Sequence, residues 1–169
     1  MQELNQEWYP SEEYLTNIKK VIDRLLDNNT PHEYFYYEGA GRTVVIIDKV
    51  AVKIPEYNEE VRVDGFHQNE KEYEIYINTK HPLLNPVYEV YRDCLICKEV
   101  MADISVLEET YHFKYQDISK AINKGISELV DVISKYNLCI EDITAPRNWG
   151  YDFECKKFVC VDYGCIAKQ

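Results

Sequence analysis

Apolar residues recur along the chain in two rhythms. Over residues 11–28, "SEEYLTNIKKVIDRLLDN", Leu15, Ile18, Ile22, Leu25 and Leu26 fall on one helical face, and Ser11 stands where a cap belongs. "TPHEYFYYEGAGR" breaks that helix and leads into a glycine-containing turn. "TVVIID" and "VAVKI" are β-branched runs separated by Asp48-Lys49, which predicts a hairpin. A helix follows at roughly Gln68 to Asn78, and then two strands, "PVYEVY" and "CLICKEV", turn at Arg92-Asp93. Residues 103–113 read as a connector. "DISKAINKGISELVDVISKYN" is the clearest helix, with Asp117 as its expected cap and Ile118, Ile122, Ile126, Leu129, Val130 and Ile133 as its stripe. "LCIED", a loop through Trp149-Gly150 and a last hairpin, "YDFECKKFVCVDYG", complete the pattern. A strand-rich half with one internal helix thus precedes a helical half, and the boundary is expected near residues 100–103.

The 169 residues suffice for one domain or two small lobes. A net charge of -11 argues against a nucleic-acid backbone as ligand, because phosphate contact needs basic patches. No apolar run approaches a membrane span, and the polar N-terminus is no signal peptide, so a cytoplasmic protein with reduced thiols and no membrane partner is expected. The six cysteines sit mostly in apolar runs and read as small buried hydrophobes. Zinc ligation by Cys94, Cys97, Cys155 and Cys160 is disfavoured, since a CxxC inside a strand lacks the turn of a zinc knuckle. The 15 tyrosines have no physical explanation in the pattern.

Four elements carry candidate chemistry. Gly39 and Gly41 precede a hairpin, where glycine lets backbone N–H groups approach a phosphate; a plain turn is the simpler alternative. Lys53 stands within a β-branched strand and needs either an anion or an edge position. The helix "NEKEYEIYI" offers Glu70, Glu72 and Glu74 as partners for such a lysine, at least one of them on a solvated face. Asp142, Asn148 and Asp162 are hard oxygen donors near the end of the chain, suited to Mg²⁺ and to orienting a hydroxyl.

Their order is more telling than any one of them. Gly-rich turn, strand lysine, helix glutamate, strand, helix, Asp-loop-Asn, hairpin and Asp-x-Gly resemble the protein-kinase-like superfamily over residues 33–169. "VAVKI" is similar to the kinase lysine strand, and Glu72 follows Lys53 by 19 residues, about where kinases place their helix glutamate. "LICKEVM" resembles the strand into the hinge, "LCIEDITAPRNWG" a catalytic loop, and "VCVDYG" the Asp-Phe-Gly turn with Tyr163 for phenylalanine. The phrasing "GAGRTVVIIDKVAVKIP … NEKEYEIY … LLNPVYE … NWG … VDYG" also resembles small kinase-like proteins of tailed bacteriophages and prophages.

The resemblance implies an α+β, reduced kinase-like fold. Its parts would be an N-terminal helical extension at residues 1–32, an antiparallel N-lobe at 33–101 and a truncated C-lobe at 102–169. It implies Mg²⁺ with ATP or another nucleotide in the interlobe cleft. Gly39 and Gly41 would cover the phosphates, Lys53 would reach them with Glu72 as partner, and Glu99 and Val100 in the hinge would meet adenine. Asp142 would take the catalytic-base position, and Asn148 and Asp162 would hold the metal.

Departures weigh against transferase activity. Val44 replaces the third glycine of the phosphate loop, and Ile140-Glu141 replace the His-Arg before the catalytic aspartate. Asp142 to Asn148 is one residue longer than the kinase spacing and contains Pro146. No activation segment or substrate platform is expected after Gly164. The expected function is a pseudokinase that binds Mg-nucleotide and works through a protein partner, a host factor if the phage likeness holds. The alternatives are an active minimal phosphotransferase and an interaction or inhibitor module without nucleotide.

Overall fold

The computed structural model describes residues 8–28 and 33–166. The chain is α+β. It divides into two compact units: residues up to Phe66 with Tyr88–Glu99, and His67–Val87 with the residues from Val100 on.

The first unit begins with α1 (Glu12–Asn28). Ser11 starts it as expected: its Oγ accepts the Tyr14 N–H at 3.1 Å, and its carbonyl accepts the Leu15 N–H. Then come β1 (Phe35–Glu38), β2 (Arg42–Ile47), β3 (Val50–Pro55) and the short pair β4 (Tyr57–Asn58) and β5 (Val63–Asp64). After α2 (Gly65–Thr79), β6 (Val87–Tyr91) and β7 (Cys94–Lys98) return to the sheet. Its order is β1-β2-β3-β7-β6, and β1–β2, β2–β3 and β3–β7 pair antiparallel.

Both tight turns fall where the sequence puts them. Asp48 takes a φ of 54° between β2 and β3. Arg92 and Asp93 take 48° and 64° between β6 and β7, the paired positive angles a type I′ hairpin turn requires. β1 is a finding: "FYYE" shows no buried alternation, is mostly exposed, and is a strand because β2 supplies its ladder.

Alternation along the strands gives the sheet two faces. One carries Val45, Ile47, Val50, Val52, Cys94 and Ile96, and α1 lays Ile18, Ile22 and Leu25 into the same cluster. Helix α1 is therefore part of this unit's core. Polar contacts fix its ends. The Tyr14 hydroxyl donates to Asp48 Oδ2 and accepts the Lys49 N–H, while Arg92 reaches Asp23 at 2.8 Å and Asp27 at 3.3 Å.

The second unit holds most of α2, then α3 (Ile104–Glu109), α4 (Tyr115–Glu128), α5 (Val130–Tyr136), α6 (Ile140–Thr144), a 3-10 turn at Pro146–Asn148 and the hairpin β8 (Trp149–Asp152) with β9 (Lys157–Cys160). Residues 104–109 are helical rather than a connector, because Asp103 accepts the N–H groups of Ser105 and Val106. The long helix is two: it breaks at Leu129, whose backbone leaves the helical region. Asp117 does not cap it. The cap position is Lys114, without a side-chain bond, and Asp117 lies in the first turn. The break also turns Val130 outward, and Val132 enters the core in its place. Ile75, Leu84, Leu107, Ile118, Ile122, Leu129, Ile143, Trp149 and Tyr163 belong to one buried cluster. No helix among the described residues is long and apolar enough to cross a membrane.

Two outcomes are expected for the first unit. Ile22 is fully buried, so Ile22→Ala should lower the free energy of denaturant unfolding by about 2–5 kcal/mol. The Asp23 carboxyl is held below the usual carboxylate range, chiefly by the Arg92 guanidinium and also by the Tyr91 hydroxyl, against a smaller upward effect of desolvation. A depressed folded pKa stabilises above the unfolded value, and that contribution is lost as pH falls through the folded one. Asp23→Asn should therefore destabilise at neutral pH and flatten the acid limb of a stability–pH curve, less so at high salt.

Candidate functional site

In the first unit, Lys53 lies in β3 between β2 and β7, opposite Val44 and Leu95. β3 is an interior strand, which removes the edge-strand explanation for this lysine. Its side chain is on the face away from α1, shared with Val44 and Leu95, and the residue is only 5% exposed. An ammonium at such a depth is tolerated only with polar partners. Lys53 is not without one.

Gly39 and Gly41 lie in the turn between β1 and β2. The Gly39 N–H donates to the Arg42 carbonyl at 2.8 Å, so the turn closes on itself. Gly41 is explained by close packing: a Cβ there would lie 2.5 Å from the Val63 side chain. Its carbonyl accepts the Glu56 N–H, and the Glu56 carbonyl accepts the Gly65 N–H. Thr43 Oγ1 donates to Glu56 Oε1 at 2.7 Å. Glu56 thus clasps the glycine turn, a role its place just after Pro55 did not signal. At the expected hinge the Glu99 N–H is committed to the Lys49 carbonyl. Val100 opens the second unit, where a Cβ on Gly150 would press on its side chain at 2.6 Å.

In the second unit, α2 sorts its three candidate glutamates. Glu70 is exposed beside His67, and Glu74 pairs with Lys71 at 2.6 Å. Glu72 is fully buried, on the same helical face as buried Asn69, and is not without a partner.

Asn148 and Asp162 come together through the β8–β9 ladder. Trp149 pairs with Cys160, and the Val161 N–H donates to the Asn148 carbonyl at 2.8 Å, so both side chains belong to the open end of this hairpin. Asn148 is 7% exposed, and its Nδ2 donates to the Asp142 carbonyl at 2.9 Å. The Asn148 amide and the Asp162 carboxylate are both hard-oxygen donors, the kind that Mg²⁺ takes. Around them the packing is close. The Trp149 indole N–H donates to the Ile143 carbonyl, and its ring would lie 2.8 Å from a Cβ on Gly125. The buried Tyr163 hydroxyl donates to the Asn85 carbonyl at 3.0 Å. Gly164 faces the backbone of α2, 2.3 Å from the Gln68 carbonyl oxygen to an ideal Cβ.

Asp142 is turned elsewhere. It lies in the first turn of α6, and a carboxylate oxygen is 3.9 Å from Arg147 and within 4.8 Å of the Cys139 and Cys165 sulfurs. Burial and the Asp142 carboxylate together push the Cys165 thiol well above its ordinary range. Cys139 and Cys165 are half-buried rather than core residues. Cys94 and Cys97, by contrast, are buried on opposite faces of β7, so they cannot share one ion. Burial raises the Cys94 thiol to about 12.

A further cavity of about 410 Å³ lies in the second unit against α4 and the β8–β9 hairpin, lined by Phe113, Tyr151 and Phe158 with Lys124 and Lys157 at its rim. It contains none of the candidate residues.

Compared with protein-family models and with curated proteins, the sequence matches none of either.

The Asp-Tyr-Gly turn yields one expected outcome. Gly164→Ala would force its Cβ into the α2 backbone, and should cost about 1–3 kcal/mol in denaturant unfolding.

Proposed function

We propose that this protein is a kinase-like nucleotide binder with little transferase activity, a pseudokinase that acts by engaging another protein. The observation that carries the reading is the buried lysine on an interior strand. Lys53 has neither an edge nor a solvated face to account for it, and a polyanionic ligand gives such an ammonium a reason.

Two further features support the reading. The five-stranded antiparallel sheet is interrupted by one helix that carries a single fully buried glutamate, the arrangement the resemblance implies. Asn148 and Asp162 share one hairpin end, with the oxygen donors that a phosphate-bound Mg²⁺ takes. In this reading Lys53 contacts nucleotide phosphate, and Asn148 and Asp162 hold the metal. The bound metal would neutralise phosphate charge.

The catalytic-base position is where the reading parts from an active kinase. A base must reach the hydroxyl whose proton it takes. The Asp142 carboxylate instead lies among Cys139, Cys165 and Arg147. Ile140 and Glu141 stand where the resemblance puts His-Arg. The glycine turn has its own backbone engagements as well. With binding retained and transfer weakened, function passes to a partner. The acidic surface suits a basic protein face.

Thermal unfolding with and without Mg·ATP tests this. A ligand that binds only the folded state stabilises it by RT ln(1 + [L]/Kd), about 2.7 kcal/mol at a hundredfold excess over Kd. The wild type should shift upward, Lys53→Met and Asp162→Asn should lose the shift, and labelled γ-phosphate should stay on the nucleotide. No shift in the wild type would overturn the nucleotide reading. A shift with phosphate transfer would establish the active phosphotransferase instead.

A further inference from the structure

The two half-buried cysteines of the second unit meet by construction. Leu138 and Ile166 form an antiparallel bridge, and the Cys139 N–H donates to the Cys165 carbonyl at 2.9 Å. This register sets Cys139 and Cys165 directly opposite one another. Cys139 is also the residue that precedes α6, and Asp142 follows it by three, on the same helical side. One sulfur from each cysteine and one Asp142 oxygen lie within 4.8 Å of one another. Glu141 stands beside them, its Oε2 3.2 Å from the Cys139 sulfur.

We propose that Cys139, Asp142 and Cys165 bind one tetrahedral divalent ion of the zinc class, with Glu141 or a water in the fourth position. The dimensions fit. Zinc holds thiolate sulfur at ~2.3 Å, so a tetrahedron needs its ligand sulfurs about 3.8 Å apart and its oxygens closer. The donor set also selects. Two thiolates with a carboxylate suit zinc and its neighbours, whereas Mg²⁺ takes hard oxygens alone.

A disulfide is the competing use of two facing cysteines, but it gives the carboxylate between them no role. A cation accounts for all three groups, since it takes two thiolates and a carboxylate as ligands together and releases the thiol protons as it binds. The ion would tie the strand at residues 165–166 to the start of α6, closing a loop of more than 20 residues. It would also hold Asp142 as a ligand. The site lies wholly within the second unit and is independent of the nucleotide reading.

The test uses the full reduced chain without nucleotide, titrated with Zn²⁺ and, as a spectroscopic probe, with Co²⁺. One equivalent should bind, and cobalt should show thiolate charge-transfer and tetrahedral d–d absorption. Zn²⁺ should protect Cys139 and Cys165, but not Cys155, from alkylation mapped by mass spectrometry. Asp142→Ala should weaken binding ~10-fold or more, and Cys165→Ser should abolish the cobalt charge-transfer band. The alkylation map needs no variant, so a variant that misfolds does not blunt the test. Equal alkylation of Cys139 and Cys165 with and without Zn²⁺ would overturn the proposal. So would metal uptake that survives replacement of both cysteines.

Discussion

A charged group taken out of water must find its compensation in the protein or in a ligand, and Lys53 and Glu72 are two of the charged residues buried here, with Arg42, Lys98 and Asp152. Lys53 sits on an interior strand, and Glu72 is wholly enclosed on a helix that otherwise sends its glutamates to solvent. An isolated buried ammonium or carboxylate would shift its pKa and neutralise rather than remain. Replacing a buried ion pair by apolar residues of similar volume is often neutral or stabilising. Charges retained at such depth are thus poor instruments of stability and good instruments of binding. Much of the surrounding construction serves to keep them in position. Helix α1 fills one face of the sheet with aliphatic side chains, which leaves the lysine face as the place where chemistry can differ.

The second unit solves a different problem, that of holding oxygen donors on loops. Asn148 lies on a 3-10 turn and Asp162 on the segment after β9, neither of them rigid elements in themselves. Their rigidity is borrowed. The backbone bond from Val161 to Asn148 continues the ladder past the strand ends, and the Asn148 amide is anchored on the Asp142 carbonyl. Trp149 and Tyr163, next to each donor, are fully buried and each spends its polar hydrogen on a backbone carbonyl. Glycines at 125 and 164 permit the close approach that this packing needs. A donor pair built in this way is sensitive to changes several residues away from either ligand.

Local signals were legible in the sequence wherever a short stretch determines its own geometry. Ser11 before an apolar stripe, Asp48-Lys49 between β-branched runs and Arg92-Asp93 between strands each specify a cap or a turn without help from elsewhere. What failed depended on distant partners. "FYYE" is a strand because β2 lies beside it, and no period in its own residues says so. The helix through Leu129 keeps a continuous apolar stripe, yet its backbone breaks there, so period alone does not report continuity. Asp117 looked like a cap because the residue type favours caps, but Lys114 holds that place and the helix begins earlier. At the site, the order of residue types pointed to Lys53, Glu72, Asn148 and Asp162. Glu72 was singled out from Glu70 and Glu74 by its spacing from Lys53 in the resemblance, and it alone of the three is buried. Cys139 and Cys165 are 26 residues apart, and only the bridge from Leu138 to Ile166 brings them face to face.

Asp142 is where these two halves of the reading meet. Its carboxylate lies within 4.8 Å of two cysteine sulfurs. A general base works as a free carboxylate with one face open to its substrate. A carboxylate beside half-buried sulfurs has part of that face occupied, and its charge raises the neighbouring thiol rather than activating an alcohol. Its backbone, however, still orients the Asn148 amide. The position therefore keeps its structural duty to the Asn148 turn while its side chain lies in another cluster. Positioning through the backbone thus survives a change in what the side chain does.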